Sequence, residues 1–150
     1  MKLRNIPFSP PDMSEAEANE VRDAILSGWI TTGPRTKKLE KTISEYVGTE
    51  KTVCLNSATA AMEMVLRLLG VGPGDEVIVP AYTYTATASV ACHVGATVVM
   101  VDSQKDCVEM DYEKLADAIT ERTKVIVPVD LAGIVAAYEK VYAVLERPEV

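Results

Sequence analysis

Hydrophobic positions along the chain recur first at helical spacing and then in short β-branched runs. Pro7, Pro10 and Pro11 read as an extended arm, because proline lacks the amide that helix and sheet ladders need. Ser14 and Glu17 then form a capping-box pattern that opens a predicted helix over residues 14–26. Ala18, Val21, Ile25 and Leu26 fall on one face of it, and Gly28 is placed to end it. Residues 29–34 read as a turn-rich connection. A second helix is expected over 35–47, with Leu39, Ile43, Tyr46 and Val47 on one side and Gly48 as its stop. Lys37, Lys38, Glu40, Lys41 and Glu45 read as its solvated face.

From Lys51 onward β-branched runs alternate with helical patterns, the mark of βαβ units and a mainly parallel sheet. Strands are predicted at 52–55, 76–79, 97–101 and 124–129, with helices at 58–69, 85–94 and 112–119, the last opened by Asp111 as N-cap. Crossovers of this kind are expected to be right-handed. A final helix over 137–145 places Tyr138, Val141, Tyr142 and Leu145 on one stripe, with Pro148 close behind it and no closing strand, so the fold reads as cut off. No repeat or low-complexity tract interrupts this α/β pattern.

A chain of 150 residues with 48% hydrophobic content can bury one sizeable core. Its formal net charge of -7 disfavours nonspecific nucleic-acid or anionic-membrane partners, so a small anionic ligand needs a dedicated local site. No apolar run approaches the roughly 20 residues of a membrane span, and the first residues lack the apolar core of a secretory signal. The expectation is a cytoplasmic protein. Cys54, Cys92 and Cys107 have neither zinc nor redox spacing and read as free thiols, three small buried hydrophobes. No metal site is expected.

Two segments carry candidate chemistry. Residues 56–61, Asn56-Ser57-Ala58-Thr59-Ala60-Ala61, follow a predicted strand and open a helix, where unpaired amides and the positive helix end favour a phosphate. Thr59 adds a hydroxyl donor, while Ser57 either caps the helix or donates to the same anion. Residues 80–86 begin where another strand ends and bring Tyr82 and Tyr84 to the carboxyl edge of the sheet, where open α/β sheets bind ligands. An aromatic there can stack on a flat heteroaromatic cofactor whose phosphate sits on the helix end, and Tyr84 is the chosen ring. Both tyrosines read equally as core aromatics with hydroxyls reaching solvent. His93, at a predicted helix end beside Gly95, reads as a capping or packing residue. Asp75 and Asp102 read as turn residues.

With these segments in hand, the chain resembles the DegT/DnrJ/EryC1/StrS family of sugar aminotransferases, which transaminate nucleotide-linked keto sugars with pyridoxal phosphate. The resemblance runs from Gly28-Trp29-Ile30-Thr31-Thr32-Gly33-Pro34 through Glu45-Tyr46-Val47-Gly48, the 56–61 segment and Gly72-Pro73-Gly74-Asp75-Glu76-Val77-Ile78-Val79-Pro80. It continues through Tyr84-Thr85-Ala86-Thr87-Ala88, Val94-Gly95-Ala96-Thr97 and Val101-Asp102 to Pro128-Val129-Asp130-Leu131-Ala132-Gly133. It implies the large domain of an aspartate-aminotransferase-type (fold type I) enzyme, with residues 1–34 as an N-terminal arm and helix and 35–150 as an incomplete cofactor-binding large domain. A homodimer sharing its active sites is implied as well. Ser57, Ala58 and Thr59 match the family's phosphate loop, Tyr84 its stacking aromatic, and Asp130 a position near the cofactor pocket. Thr32 and Gly33 match a loop near the sugar site. A strand-terminal cap remains open for Asp130, and a plain helix-to-helix turn for Gly33.

Transamination also needs a lysine that forms a Schiff base with the cofactor and a carboxylate that keeps the pyridine nitrogen protonated. The family places both beyond Val150, and none of the lysines present falls where that lysine belongs. The expectation is therefore that the fragment itself is inactive, while its parent moves an amino group, from glutamate, to a nucleotide-linked keto sugar in amino-sugar or polysaccharide biosynthesis. Alternatives are a sugar dehydratase of the same family and a naturally short, noncatalytic ligand-binding or dimerising module. A dinucleotide-binding dehydrogenase ranks below these, since no Gly-x-Gly-x-x-Gly turn follows the first predicted strand.

Overall fold

The computed structural model describes residue 5 and residues 7–146; the expectation for Pro148 falls outside them. The chain forms two compact units, Met1–Cys54 and Leu55–Val150.

In the first unit, helix α1 spans Glu15–Leu26 and helix α2 spans Pro34–Val47. The predicted capping box forms: the Ala16 amide donates to Ser14 Oγ at 3.2 Å, and the Ser14 amide donates to Glu17 Oε2 at 2.7 Å. Those bonds satisfy donors that a helix start leaves unpaired, and the Ser14 hydroxyl holds the Glu17 carboxyl below its usual range. Pro34 occupies the first turn of α2, where a missing amide costs nothing, and Gly48 ends it at φ 72°, the left-handed conformation glycine adopts freely. An Arg35–Glu20 ion pair ties α2 to α1. The helices are where the periodicity puts them, yet neither buries a residue: Val21, Ile25, Leu39 and Val47 are each more than half exposed.

The predicted strand at 52–55 does not form. Its β-branched residues meet no neighbouring strand among the described residues, and side chains of α2 take up the local polar groups instead. The Cys54 amide donates to Glu40 Oε1 at 3.0 Å, and the Ser44 and Thr52 hydroxyls lie 2.7 Å apart.

The second unit runs α3 (Ala58–Leu68), β1 (Glu76–Pro80), α4 (Ala86–His93), β2 (Thr97–Val101), α5 (Tyr112–Ala118), β3 (Thr123–Ile126), a single 3-10 turn (Leu131–Gly133) and α6 (Tyr138–Leu145). All strand pairs are parallel, in the order β2-β1-β3. Val77 sits opposite Val98 and Val125, and Ile78 opposite Val99 and Ile126. Every residue of β1 is buried, because it has a strand on each side and helices on both faces. Val77 and Val79 point to one face and pack with Leu66, Val90, Ala91 and Val94 of the α3–α4 layer. Ile78 points to the other and packs with Tyr112, Leu115, Val141 and Val144 of the α5–α6 layer. The chain moves one way from β1 to β2 with α4 on one face, and back across β1 to β3 with α5 on the other, which gives both crossovers the same hand.

Buried polar groups are paired. Glu76 opens β1 at 4% exposure, and its carboxylate accepts from the Thr120 hydroxyl at 2.6 Å and from the Arg122 guanidinium. The Thr120 bond first, and Arg122 after it, hold this carboxyl below its usual range. Tyr112 is 6% exposed; its hydroxyl donates to Glu109 Oε2 and accepts the Ala137 amide, each at 2.8 Å, which fixes the start of α6 against α5. Burial pushes that phenol up, with Glu109 adding to the effect. In α6 the buried stripe is Val141 and Val144, whereas Tyr138, Tyr142 and Leu145 stay exposed, so the expected four-residue stripe is corrected to one turned toward Val144. The thiols are free, as read, but none is buried: Cys92 is exposed on α4, and Cys54 and Cys107 are partly so.

Two outcomes follow from this packing. Leu115→Ala, emptying a fully buried position between α5 and the sheet, should cost about 2–5 kcal/mol in urea unfolding. Glu76→Gln should lower the unfolding temperature, and the deficit should depend on pH. Because the folded state lowers the Glu76 pKa from 4.5, its stabilising contribution is present above that value and disappears as pH falls through the folded pKa. Melting curves of the two proteins should therefore differ near neutrality and converge in acid.

Candidate functional site

The carboxyl edge of the sheet collects the candidate residues of the second unit. Helix α3 precedes β1, and its carboxyl end lies at the opposite edge: Lys124, at the start of β3, donates from Nζ to the Gly70 carbonyl at 3.3 Å and lies 3.7 Å from Asp75. Since α3 packs on β1 through Leu66, its first turn points toward the edge where β1 ends.

At that first turn Ser57 is extended, with φ -162° and ψ 157°, and its Oγ accepts the Ala60 amide at 3.1 Å. The Ala61 amide makes the first intrahelical bond, to the Ser57 carbonyl, at 3.1 Å. Ser57 thus plays the capping part, and its hydroxyl proton can still be donated. The amides of Ala58 and Thr59 have no carbonyl one turn earlier in the helix to bond. Ala58 is exposed and Thr59 partly so, and methyl side chains at 58, 60 and 61 leave the helix end open to a ligand. Amide donors, two hydroxyls and the positive end of the helix suit a phosphate.

Tyr82 and Tyr84 lie on the loop that leaves β1, held by the Ala81 amide on the Val101 carbonyl (2.8 Å) and the Thr87 amide on the Tyr84 carbonyl (3.0 Å). Their rings are 62% and 80% exposed, so neither is a core aromatic. Beneath them the Thr83 and Thr87 hydroxyls lie 3.1 Å apart, Thr87 buried.

Asp130 lies beyond the same edge but does not end a strand, because β3 stops at Ile126. The carboxylate instead closes the following loop, accepting the Ala136 amide at 2.9 Å and approached by the Tyr138 hydroxyl at 3.4 Å. Partial desolvation, and then Asp130, push the Tyr138 phenol up. Within this loop Ala132 adopts φ 53°, a left-handed conformation that costs a residue with a Cβ about 1–2 kcal/mol.

In the first unit, Thr32 and Gly33 lie on the loop between α1 and α2. Gly33 is buried, and a Cβ there would overlap the Trp29 indole. This close approach requires glycine, and neither reading of Gly33 from the sequence, a substrate loop or a plain turn, included it. The loop borders an open apolar cleft of about 590 Å³ lined by Val21, Ile25, Trp29, Ile30 and Pro34 among others.

A cluster that the sequence reading missed joins α3 to α4. Glu63 accepts from Arg67 at 2.7 Å and lies 2.9 Å from Nδ1 of His93, which is exposed and pairs with this carboxylate instead of packing in the core. Arg67 first, and His93 after it, hold the Glu63 carboxyl below its usual range. The Glu63–Arg67 spacing of four was legible on a helix; the contact with His93, thirty residues away, was not. Asp75 and Asp102 serve as turn residues, accepting the Gly72 and Ser103 amides at 2.9 and 2.8 Å. Among the described residues no helix is long and apolar enough to cross a membrane, and no group of three or more acidic, histidine or cysteine side chains gathers as a metal site would.

Comparison with known proteins places this geometry. The UDP-4-amino-4-deoxy-L-arabinose–oxoglutarate aminotransferase of Shewanella sediminis is 42% identical over 142 residues, spanning 95% of this chain and 37% of that protein. Spr1654 of Streptococcus pneumoniae, assigned as a sugar aminotransferase, superposes in its PMP form with a TM-score of 0.90 at 67% identity, covering 94% of this chain and 36% of that one; its PLP form matches equally. A GDP-4-keto-6-deoxymannose-3-dehydratase, 24% identical with a TM-score of 0.87 over 97% of this chain and 39% of that one, shares the fold. The chain thus spans little more than a third of the length of these relatives. The sheet is part of a fold type I aminotransferase domain, and with residues 11–150 matching its model, the chain belongs to the DegT/DnrJ/EryC1/StrS aminotransferase family.

Proposed function

We propose that the chain supplies the phosphate-binding and ring-stacking part of a pyridoxal-phosphate-dependent aminotransferase acting on a nucleotide-linked keto sugar, with glutamate as amino donor. The observation that carries the reading is the open first turn of α3 at the sheet's carboxyl edge, beside a loop bearing an exposed Tyr84. The donor set fits the cofactor: the Ala58 and Thr59 amides and the Ser57 and Thr59 hydroxyls would hold its phosphate, and the Tyr84 ring would lie on the pyridine. Asp130, held by the Ala136 amide, would orient polar groups at the rim of the same pocket. When bound, the cofactor supplies the electron sink that transamination needs. Thr32 and Gly33 would contact the sugar substrate.

In this reading residues 35–150 form part of the cofactor-binding domain and residues 1–34 an arm and helix. The protein would be a cytoplasmic homodimer working in amino-sugar or cell-surface polysaccharide biosynthesis. Transamination is preferred over dehydration because the aminotransferases match at 42% and 67% identity, the dehydratase at 24%.

In the full-length protein that carries this chain, glutamate should convert the bound cofactor from its pyridoxal to its pyridoxamine form, followed by absorbance. Absence of both cofactor binding and conversion would defeat the proposal. Tyr84→Ala should weaken cofactor affinity about two- to tenfold in equilibrium titrations, the worth of one aromatic contact. Ser57→Ala should cost about 1 kcal/mol of stability through the lost cap and weaken cofactor binding beyond that.

A further inference from the structure

We infer that Trp29 is a positioning residue for the substrate loop, acting through Thr32 and Gly33 rather than by touching the reacting atoms. The inference rests on the reading of that loop as a sugar contact. Its physical basis lies wholly within the α1–α2 unit. The indole Nε1–H donates to the Thr32 carbonyl at 3.1 Å, closing residues 29–32 into a ring. The same indole lies so close over Gly33 that a Cβ would overlap it, and Gly33 is buried while Thr31 and Thr32 just before it stay exposed.

Both ends of the loop are fixed independently of the indole. On the α1 side the Trp29 amide donates to Ser27 Oγ at 3.2 Å, and Ser27 Oγ in turn donates to the Ala24 carbonyl at 2.6 Å. On the α2 side the Gly33 carbonyl accepts the Lys37 amide at 3.0 Å, and Pro34 holds the first turn. Between these anchors the remaining freedom is the orientation of the peptides at 30–33, and the indole removes it. The Thr32 carbonyl is drawn inward and the Thr31 and Thr32 side chains are left outward. A loop fixed before binding spares the ordering cost that ligand would otherwise bear, which strengthens binding without adding a contact.

Two variants separate ring from hydrogen bond. Trp29→Phe keeps an aromatic over Gly33 and loses the Nε1–H donor; Trp29→Ala loses both. The assay uses the full-length protein with UDP-4-amino-4-deoxy-L-arabinose as probe and 2-oxoglutarate as the amino acceptor, run toward the keto sugar, alongside the glutamate half-reaction. Trp29→Phe should raise the KM for the probe about fivefold, the net worth of one hydrogen bond, and Trp29→Ala about 10- to 100-fold. The glutamate half-reaction should keep its rate, and Gly33→Ala, which displaces the indole, should behave like Trp29→Ala. Equal slowing of both reactions in the Trp29 variants would mean a merely structural role and overturn the inference. If Thr32→Ala raises the KM while both Trp29 variants leave it unchanged, positioning by Trp29 is overturned and the substrate-loop reading stands. If Thr32→Ala also leaves it unchanged, the substrate-loop reading itself falls. A Trp29→Ala protein that fails to fold leaves Trp29→Phe to decide the matter.

Discussion

Full burial of β1 is the constraint on which the rest of the second unit depends. A strand flanked on both edges and both faces has no exposed side, so each of its residues must be apolar or completely paired. The stretch Val77-Ile78-Val79 satisfies the first condition by sending alternate side chains into the two helix layers. Glu76 satisfies the second by meeting Thr120 and Arg122, which lie on the turn that leads into β3. That pairing also joins the start of β1 to the start of β3, so the amino edge of the sheet is closed by polar contacts while its carboxyl edge is left to loops.

What the carboxyl edge holds follows from this arrangement. With α3 anchored at its far end near Gly70 and packed on β1 through Leu66, its first turn is delivered to the edge as an open set of amides. The loop after β1 is held at Ala81 and Thr87 while its tyrosines project outward. A rigid scaffold thus carries exposed functional groups on short, hydrogen-bonded loops, the usual division of labour in α/β proteins. The loop closed by Asp130 repeats the pattern with a side-chain carboxylate in place of a ladder.

Most of the element pattern was legible in the sequence because the determinants are local. Ser14 with Glu17, Gly48 and Asp111 mark helix ends by their own chemistry, and they do so in the structure. The strands at 76–80 and 97–101 were legible from β-branched runs long enough to fill a buried strand. The failure at 52–55 has the complementary cause: β propensity expresses fit to a neighbouring strand, and here the neighbours are side chains of α2. Long-range pairings such as Glu63 with His93, and the stacking of Trp29 on Gly33, were invisible because neither periodicity nor capping encodes them. For the site, the residue types at the α3 start and at Tyr84 suggested the chemistry; of the two readings open for Ser57 the structure shows the cap, and the exposure of both tyrosine rings decides against the core alternative.

The most direct test of the account is a crystal structure of the full-length protein grown with pyridoxal 5'-phosphate. The account predicts the phosphate within hydrogen-bonding distance of the Ala58 and Thr59 amides at the first turn of α3, with the Tyr84 ring against the pyridine. A phosphate held elsewhere, with the α3 terminus facing only solvent, would contradict it.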